Sequence, residues 1–495
     1  MKMNNIKAVF LILFLLPSIL GCKKYLDINH DPNAPENVSE KLMLPAILST
    51  FSFEVVGGWP VRTSSLLTKH LAYATAGPHE GNYRITADDT DNFWRYSSYT
   101  DVMNSSTVLI KKAEANGNPA YSAIAKIIIA WNMSYITDCF GDAPFSEAFK
   151  ADEGIAHPKY DSQEEIYKQI QSLLDAAIVD AGKGTGQIPG SDDLIYGGDM
   201  IKWQHLAYTL KARFYLRLSN APGYSASTQA NLALQALDAG AITETEMPKT
   251  QYFDKAGAEN PWYQYTIDGK WTTSDKPSIF YINLLSSMND PRLPYQIDPV
   301  ATGADAGNYV GVTNDAPPKS LVNYSSIGSF YSAADAPLYM LVYAEVPFIR
   351  AEAEFLKAGK VVNTNVINAY NAGIDASMAM YGITDALTIN TYKASNQLSL
   401  SSATAYNQIM TQKYIANFLQ FEPYNDFRRT GYPALTVNNE VYPGEELDIE
   451  PVIPTIPVRF PYPSSERSYN EANIPSSVPS AFLQALQIPV WWDNN

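Results

Sequence analysis

The chain has 495 residues, with 51 acidic and 35 basic side chains and a formal net charge of −16. That excess of acid argues against a nucleic-acid partner and against a polybasic grip on anionic lipid. Its 33 tyrosines and 8 tryptophans, against only 17% charged residues, suit a binder of neutral ligands without choosing among them.

At the N-terminus, Lys2 and Lys7 flank an apolar run from Ala8 to Leu20, broken only by Pro17 and Ser18. The run falls short of the roughly 20 apolar residues of a spanning helix and has the flanks of a secretory signal. Gly21-Cys22 closes it and resembles the bacterial lipobox, although Leu20 stands where a small residue is usual. The reading is a signal peptide over 1–21 and lipid attachment at Cys22. Removing 1–21 takes Lys2 and Lys7 with it, so the charge moves from −16 to −18 over the remaining 474 residues. With Cys22 acylated, Cys139 is left without a partner for a disulfide and reads as a buried, inert thiol. Residues 22–38, with Asp31-Pro32-Asn33 and Pro35, read as a lipidated tether.

Helical periodicity dominates the chain beyond the tether. Leu42–Phe53, Ser64–Ala74 and Asp91–Ala115 are amphipathic candidates. Tyr121–Thr137 carries Ile124, Ile127, Ile128, Trp131 and Tyr135 at helical spacing. Gln163–Ala181 is the next candidate, with Ser162 as N-cap and Glu165 placed for a capping box. Met200–Ser219 and Ala230–Asp238 form one pair. Tyr339–Ala358 and Val366–Tyr381 form another, with Gly359 as the stop between them. Ala405–Gln420 comes last. Helices of this length arriving in pairs predict tetratricopeptide-like repeats, mainly over 91–240 and 339–432. Residues 241–338 are rich in Gly, Pro, Asn and aromatics, and 433–495 are rich in proline; both read as irregular segments packed on the helices.

Several motifs are specific. They are Tyr-Leu-Asp-Ile-Asn-His-Asp-Pro-Asn at 25–33, Thr-Asp-Cys-Phe-Gly-Asp-Ala-Pro-Phe-Ser-Glu-Ala at 137–148 and Asn-Asp-Pro-Arg-Leu-Pro at 289–294. Ile-Arg-Ala-Glu-Ala-Glu stands at 349–354, Asp-Phe-Arg-Arg-Thr-Gly-Tyr-Pro at 426–433, and a Pro-Val-Arg-Phe-Pro-Tyr-Pro run opens 457–473. Together, and in this order, they resemble the SusD/RagB family of Bacteroidetes outer-membrane lipoproteins, within its SusD-like group. Tyr424 departs from the Trp expected before Asp-Phe-Arg-Arg.

The resemblance implies a mainly α fold, an α/α superhelix of tetratricopeptide-like units, forming a single domain over 39–495. It implies a lipoprotein (its lipid including palmitate) on the cell surface, at the outer membrane. There it would bind a nutrient, a glycan or alternatively a peptide, and pass it to a SusC-like TonB-dependent transporter. A surface-tethered glycan-active enzyme and a peptide-binding scaffold are the competing readings. The residues themselves offer Arg350 and Glu354 as an i, i+4 pair, Glu352 facing another repeat, and Arg428 and Arg429 placed to meet helix-end carbonyls or an acidic neighbour.

No catalytic constellation is apparent. His30, His70, His79, His157 and His205 lack metal-ligand spacing, and no cofactor motif occurs. Asp88, Asp89 and Asp91 lack the glycine of a calcium loop and read as a turn or helix start. Sugars are held by flat aromatic faces and planar polar groups, and two clusters offer both. The first is Asn82, Tyr83, Arg84, Asn92 and Trp94, in and after a Gly77-Pro78 loop. The second is Trp262, Tyr263, Tyr265 and Trp271. Trp94 also fits a core position, and Trp262 and Tyr263 also fit the anchoring of a loop.

Overall fold

The computed structural model describes residues 38–74, 79–268, 274–313, 320–437 and 455–494. The signal, Cys22, the tether before Val38, the Gly77-Pro78 turn and Trp271 lie outside these. Helix α1 (Glu40–Thr50) widens into π-type turns at Phe51–Val56 and breaks before α2 (Trp59–Leu67). The break requires glycine, because a Cβ on Gly58 would lie 1.9 Å from the Glu54 carbonyl oxygen. The helix expected over Ser64–Ala74 instead ends at Leu67, and Leu71–Tyr73 is a strand, β1. Lys69, at φ 61°, turns the chain between them. A short buried apolar run reads alike for either element.

Helix α3 (Ala87–Asp91) runs through a π-helical stretch, Asn92–Asn104, into α4 (Ser105–Asn116). Asp89 accepts from both the backbone and the hydroxyl of Thr86, so the acidic run is a helix start. Helices α5 (Pro119–Phe140), α6 (Gln163–Ala181), α7 (Met200–Arg217) and α8 (Ala226–Gly240) come next. Ser162 caps α6, accepting from Glu165 N at 3.3 Å. The irregular half holds β2 (Lys249–Thr250), α9 (Pro261–Thr266), β3 (Asp275–Pro277), α10 (Ile279–Ser287), α11 (Leu293–Gln296) and β4 (Ile297–Asp298). After these come β5 (Ser326–Ile327), α12 (Ser329–Ser332) and β6 (Leu338–Tyr339). The chain then returns to longer helices: α13 (Glu345–Lys357), α14 (Thr364–Ala379), α15 (Ala386–Ser395), α16 (Ser402–Ala416) and α17 (Glu422–Thr430). Two short helices, α18 (Ser464–Tyr469) and α19 (Phe482–Ala485), close it.

Helices α4 to α8 pack each on the next, and α8 packs directly on α13, which packs on α14 and α16. The irregular residues 241–344 are therefore an insertion between two neighbouring helices of one stack. Their strands pair in two-stranded antiparallel ribbons. β1 pairs with β3, Leu71 opposite Pro277 and Tyr73 opposite Asp275; β2 pairs with β6 and β4 with β5.

Helix α5 is the axis of the core. Every residue from Ala120 to Phe140 except Lys126 is buried, as expected of a helix apolar on all sides. Burial leaves its last carbonyls needing protein donors. Gln163 Nε2 donates to Thr137 O at 2.6 Å, Arg428 Nη1 to Asp138 O at 2.7 Å and Phe460 N to Cys139 O at 2.7 Å. The Arg459 guanidinium donates to Phe140 O. The 137–148, 426–433 and 457–473 motifs are thus parts of one helix end. Burial pushes the Cys139 thiol well up, keeping it protonated.

A buried charge network lies beside it. Arg213 holds Glu345 at 2.6 Å, Arg217 meets Glu422 and Asp138, Lys413 meets Asp426 at 2.8 Å, and Arg429 bridges Glu352 and Asp426. Glu352 thus faces another repeat, as its position implied. Arg428 and Arg429 lie inside α17 rather than after a helix. Arg350 pairs with Asp238 of α8 at 2.7 Å, not with Glu354. The inter-repeat partner is the closer one once α8 and α13 stack.

Candidate ligand-binding site

The β1–β3 ribbon joins the segment just before the first sequence cluster to the segment just after the second. Tyr73 and Asp275 face each other there, and Ala74 N donates to Ser274 O at 2.8 Å. Just past the ribbon, the turn Glu80–Asn82 is closed by His79. Its Nδ1 accepts from Gly81 N, and its own amide donates to the Asn82 side chain.

Arg62, on α2, ties these pieces together. Its guanidinium donates to both carboxylate oxygens of Asp275, at 2.5 and 3.3 Å, and reaches Glu80 at 3.5 Å. Trp59 Nε1 also donates to Glu80. Arg62 lies 5.6 Å from the centre of the Tyr73 ring, which in turn packs on His79 at 4.3 Å. The paired carboxylates push the Arg62 guanidinium up against the effect of burial, so it stays charged. Burial, then Arg62, pulls His79 down to about 4 from its ordinary 6.5, so its ring is neutral at pH 7.

The sequence-predicted residues divide. Tyr83, Trp262 and Tyr265 are buried at 2%, 1% and 7% exposure. Asn260 caps α9 from its side chain, which fixes Trp262 inward against Tyr265. Burial, then Glu54, pushes the Tyr265 phenol up, and α9 packs on β3, the strand that carries Asp275. Tyr263 is half-buried and Asn92 exposed. Arg84 is half-buried, 5.9 Å over the Phe482 ring of α19. Of the predicted positions, Asn82, Arg84, Asn92 and Tyr263 keep some exposure. Trp94 stands in a different group, its indole donating to Glu466 and packing edge-on to Phe140.

Sequence reasoning did not single out Arg62, Tyr73 or Asp275. Arg62 and Asp275 are 213 positions apart, and no local pattern joins them. The arrangement holds the Tyr73 ring between the Arg62 guanidinium and the His79 imidazole, with Asp275 fully buried beneath. Among the described residues, no group of three or more His, Cys, Asp or Glu is placed to hold a metal.

The chain belongs to the SusD-like family, whose model, described as starch-binding associating with outer membrane, matches residues 32–463. Similar solved structures include a chitin-binding SusD homolog from Flavobacterium johnsoniae, 23% identical with TM-score 0.74, covering 92% of this chain and 99% of that one. A SusD homolog from Bacteroides uniformis is 25% identical, TM-score 0.74, over 92% and 99% of the two chains. A SusD/RagB family protein from Bacteroides thetaiotaomicron is 22% identical, TM-score 0.73, over 93% and 100%. No curated protein matches the sequence.

Proposed function

We propose that this chain is a non-enzymatic, lipid-anchored glycan-capture protein of the outer-membrane surface, delivering its ligand to a SusC-like TonB-dependent transporter. The observation that carries the glycan reading is the convergence of the 79–84 turn and α9 on the Arg62 network, at the open end of the β1–β3 ribbon. Membership of a family described as starch-binding, and a structural relative named as chitin-binding, support the same ligand class. Asn82, Arg84, Asn92 and Tyr263 would make the contacts. Cys22 would carry the lipid, so the anchor is a chain end and not a spanning helix.

Isolation of the lipidated protein from its native outer membrane in mild detergent tests the assignment. A stoichiometric large β-barrel partner is expected, and Cys22→Ser should release the protein from the membrane fraction. Recovery of the protein alone, or membrane retention of Cys22→Ser, would contradict the reading.

A further inference from the structure

A cavity of about 300 Å³ lies between the π-helical stretch, the 144–158 segment and α18. Its lining includes Trp94, Tyr99, Phe149 and Tyr469, with Arg95 and Glu466 as its charged groups. Three features mark it as more than a surface dent.

The aromatic rings are fixed relative to one another. Trp94 and Tyr99 lie 5.0 Å apart and Tyr99 and Phe149 6.0 Å, and the Tyr99 hydroxyl is locked onto Pro144 O at 2.7 Å. The backbone of Phe149 is held at φ 62°, a left-handed conformation that disfavours a large side chain and collects at ligand clamps. Tyr469, on α18, stands 72% exposed at the edge.

The third feature is Glu466. Its carboxylate takes Trp94 Nε1 on one oxygen at 3.3 Å, and the Tyr160 hydroxyl and Asn470 amide on the other. All three donors are neutral. No Lys, Arg or His among the described residues lies within ion-pair distance of it. The nearby cation Arg95 sits instead over the Tyr96 ring at 4.9 Å. Lys159 is engaged with Glu147. A half-buried carboxylate with neutral donors alone, one oxygen holding a single long hydrogen bond, favours a cationic guest. The cavity admits about one sugar ring.

We propose that this cavity is an independent subsite for a pyranose bearing a free amine, its ring face on Tyr469 and its ammonium toward Glu466. It would give the protein a preference for amino sugars beyond the ligand held at the ribbon end. The occupant is a sugar rather than a lysine side chain because the wall is a flat exposed ring with polar groups at its rim; a lysine-rich peptide is the control.

The test is calorimetric titration of the mature protein carrying Tyr263→Ala, which weakens the ribbon-end site. The probes are a β-linked glucosamine trimer, its fully N-acetylated counterpart and a short oligolysine. The glucosamine trimer should bind more tightly than the N-acetylated one. Tyr469→Ala, a surface change, should weaken it by about tenfold. Glu466→Gln should remove the preference for the free amine while leaving N-acetylated binding unchanged. Equal binding of the two trimers, tighter binding of oligolysine, or indifference to Tyr469→Ala would overturn the proposal. Should Glu466→Gln fail to fold, the Tyr469→Ala result still decides. Neutral-glycan binding by the unsubstituted protein without any glucosamine binding would overturn the second subsite alone.

Discussion

His70 is the clearest case of a side chain set by its surroundings. It is fully buried against Tyr281, Tyr414 and Phe418, at centroid distances of 4.8, 4.1 and 5.2 Å. Burial pulls it down to about 3 from its ordinary 6.5. The unfolded chain therefore takes up a proton between pH 6.5 and 3 that the folded chain refuses, and stability falls as pH drops through that window. By pH 5 the cost is about 2 kcal/mol. In His70→Phe, the stability difference between pH 7 and pH 5, read by chemical denaturation, should shrink by about that amount; an unchanged difference would show that the ring is not held neutral.

Charged residues of α13 and α17 separate by burial in the same way. Arg429 is 1% exposed and serves both Glu352 and Asp426. Arg429→Met leaves the buried Glu352 carboxylate without its cation and Asp426 with Lys413 alone, and should cost about 3–5 kcal/mol. Arg350→Ala removes a pair whose side chains are 36% and 65% exposed and should cost under about 1 kcal/mol. Denaturation midpoints of the two variants give the comparison, and similar losses would contradict it.

Among the elements, the α13–α14 contact pits propensity against packing. A Cβ on Gly373 would stand 2.6 Å from the fully buried ring of Phe348. Alanine is the better helix former by about 1 kcal/mol, but forcing a methyl into a filled contact costs about 1–3 kcal/mol. Gly373→Ala should be net destabilising, and adding Phe348→Leu should recover part of the loss. A raised melting temperature for the single variant would show that the helices separate freely.

The long helices were legible because their buried faces are apolar at a 3.6-residue period, as in Gln163–Ala181. Helix α17 was not, because its buried face is charged. Glu422, Asp426 and Arg429 keep helical spacing, yet a search for apolar stripes passes over them. The Leu71–Tyr73 strand was lost because Leu67, Leu71 and Ala74 also keep helical spacing. At the site, residue types were legible and burial was not. Trp262 reads as a sugar platform until Asn260 and Tyr265 are seen to turn it inward. Arg62 and Asp275 needed the ribbon to bring them together.

For the whole molecule, one stack of helices carries an irregular insertion whose ribbon end gathers the candidate contacts, while buried charges and tertiary caps lock the stack to the C-terminal segment. The most direct test is titration of the mature protein with a panel of starch-type and chitin-type oligosaccharides, then product analysis. The account predicts saturable binding to at least one glycan, recovery of that glycan intact, and affinity about tenfold weaker in the combined Tyr263→Ala and Arg84→Ala variant. Cleavage of the glycan, or binding that ignores both substitutions, would contradict it.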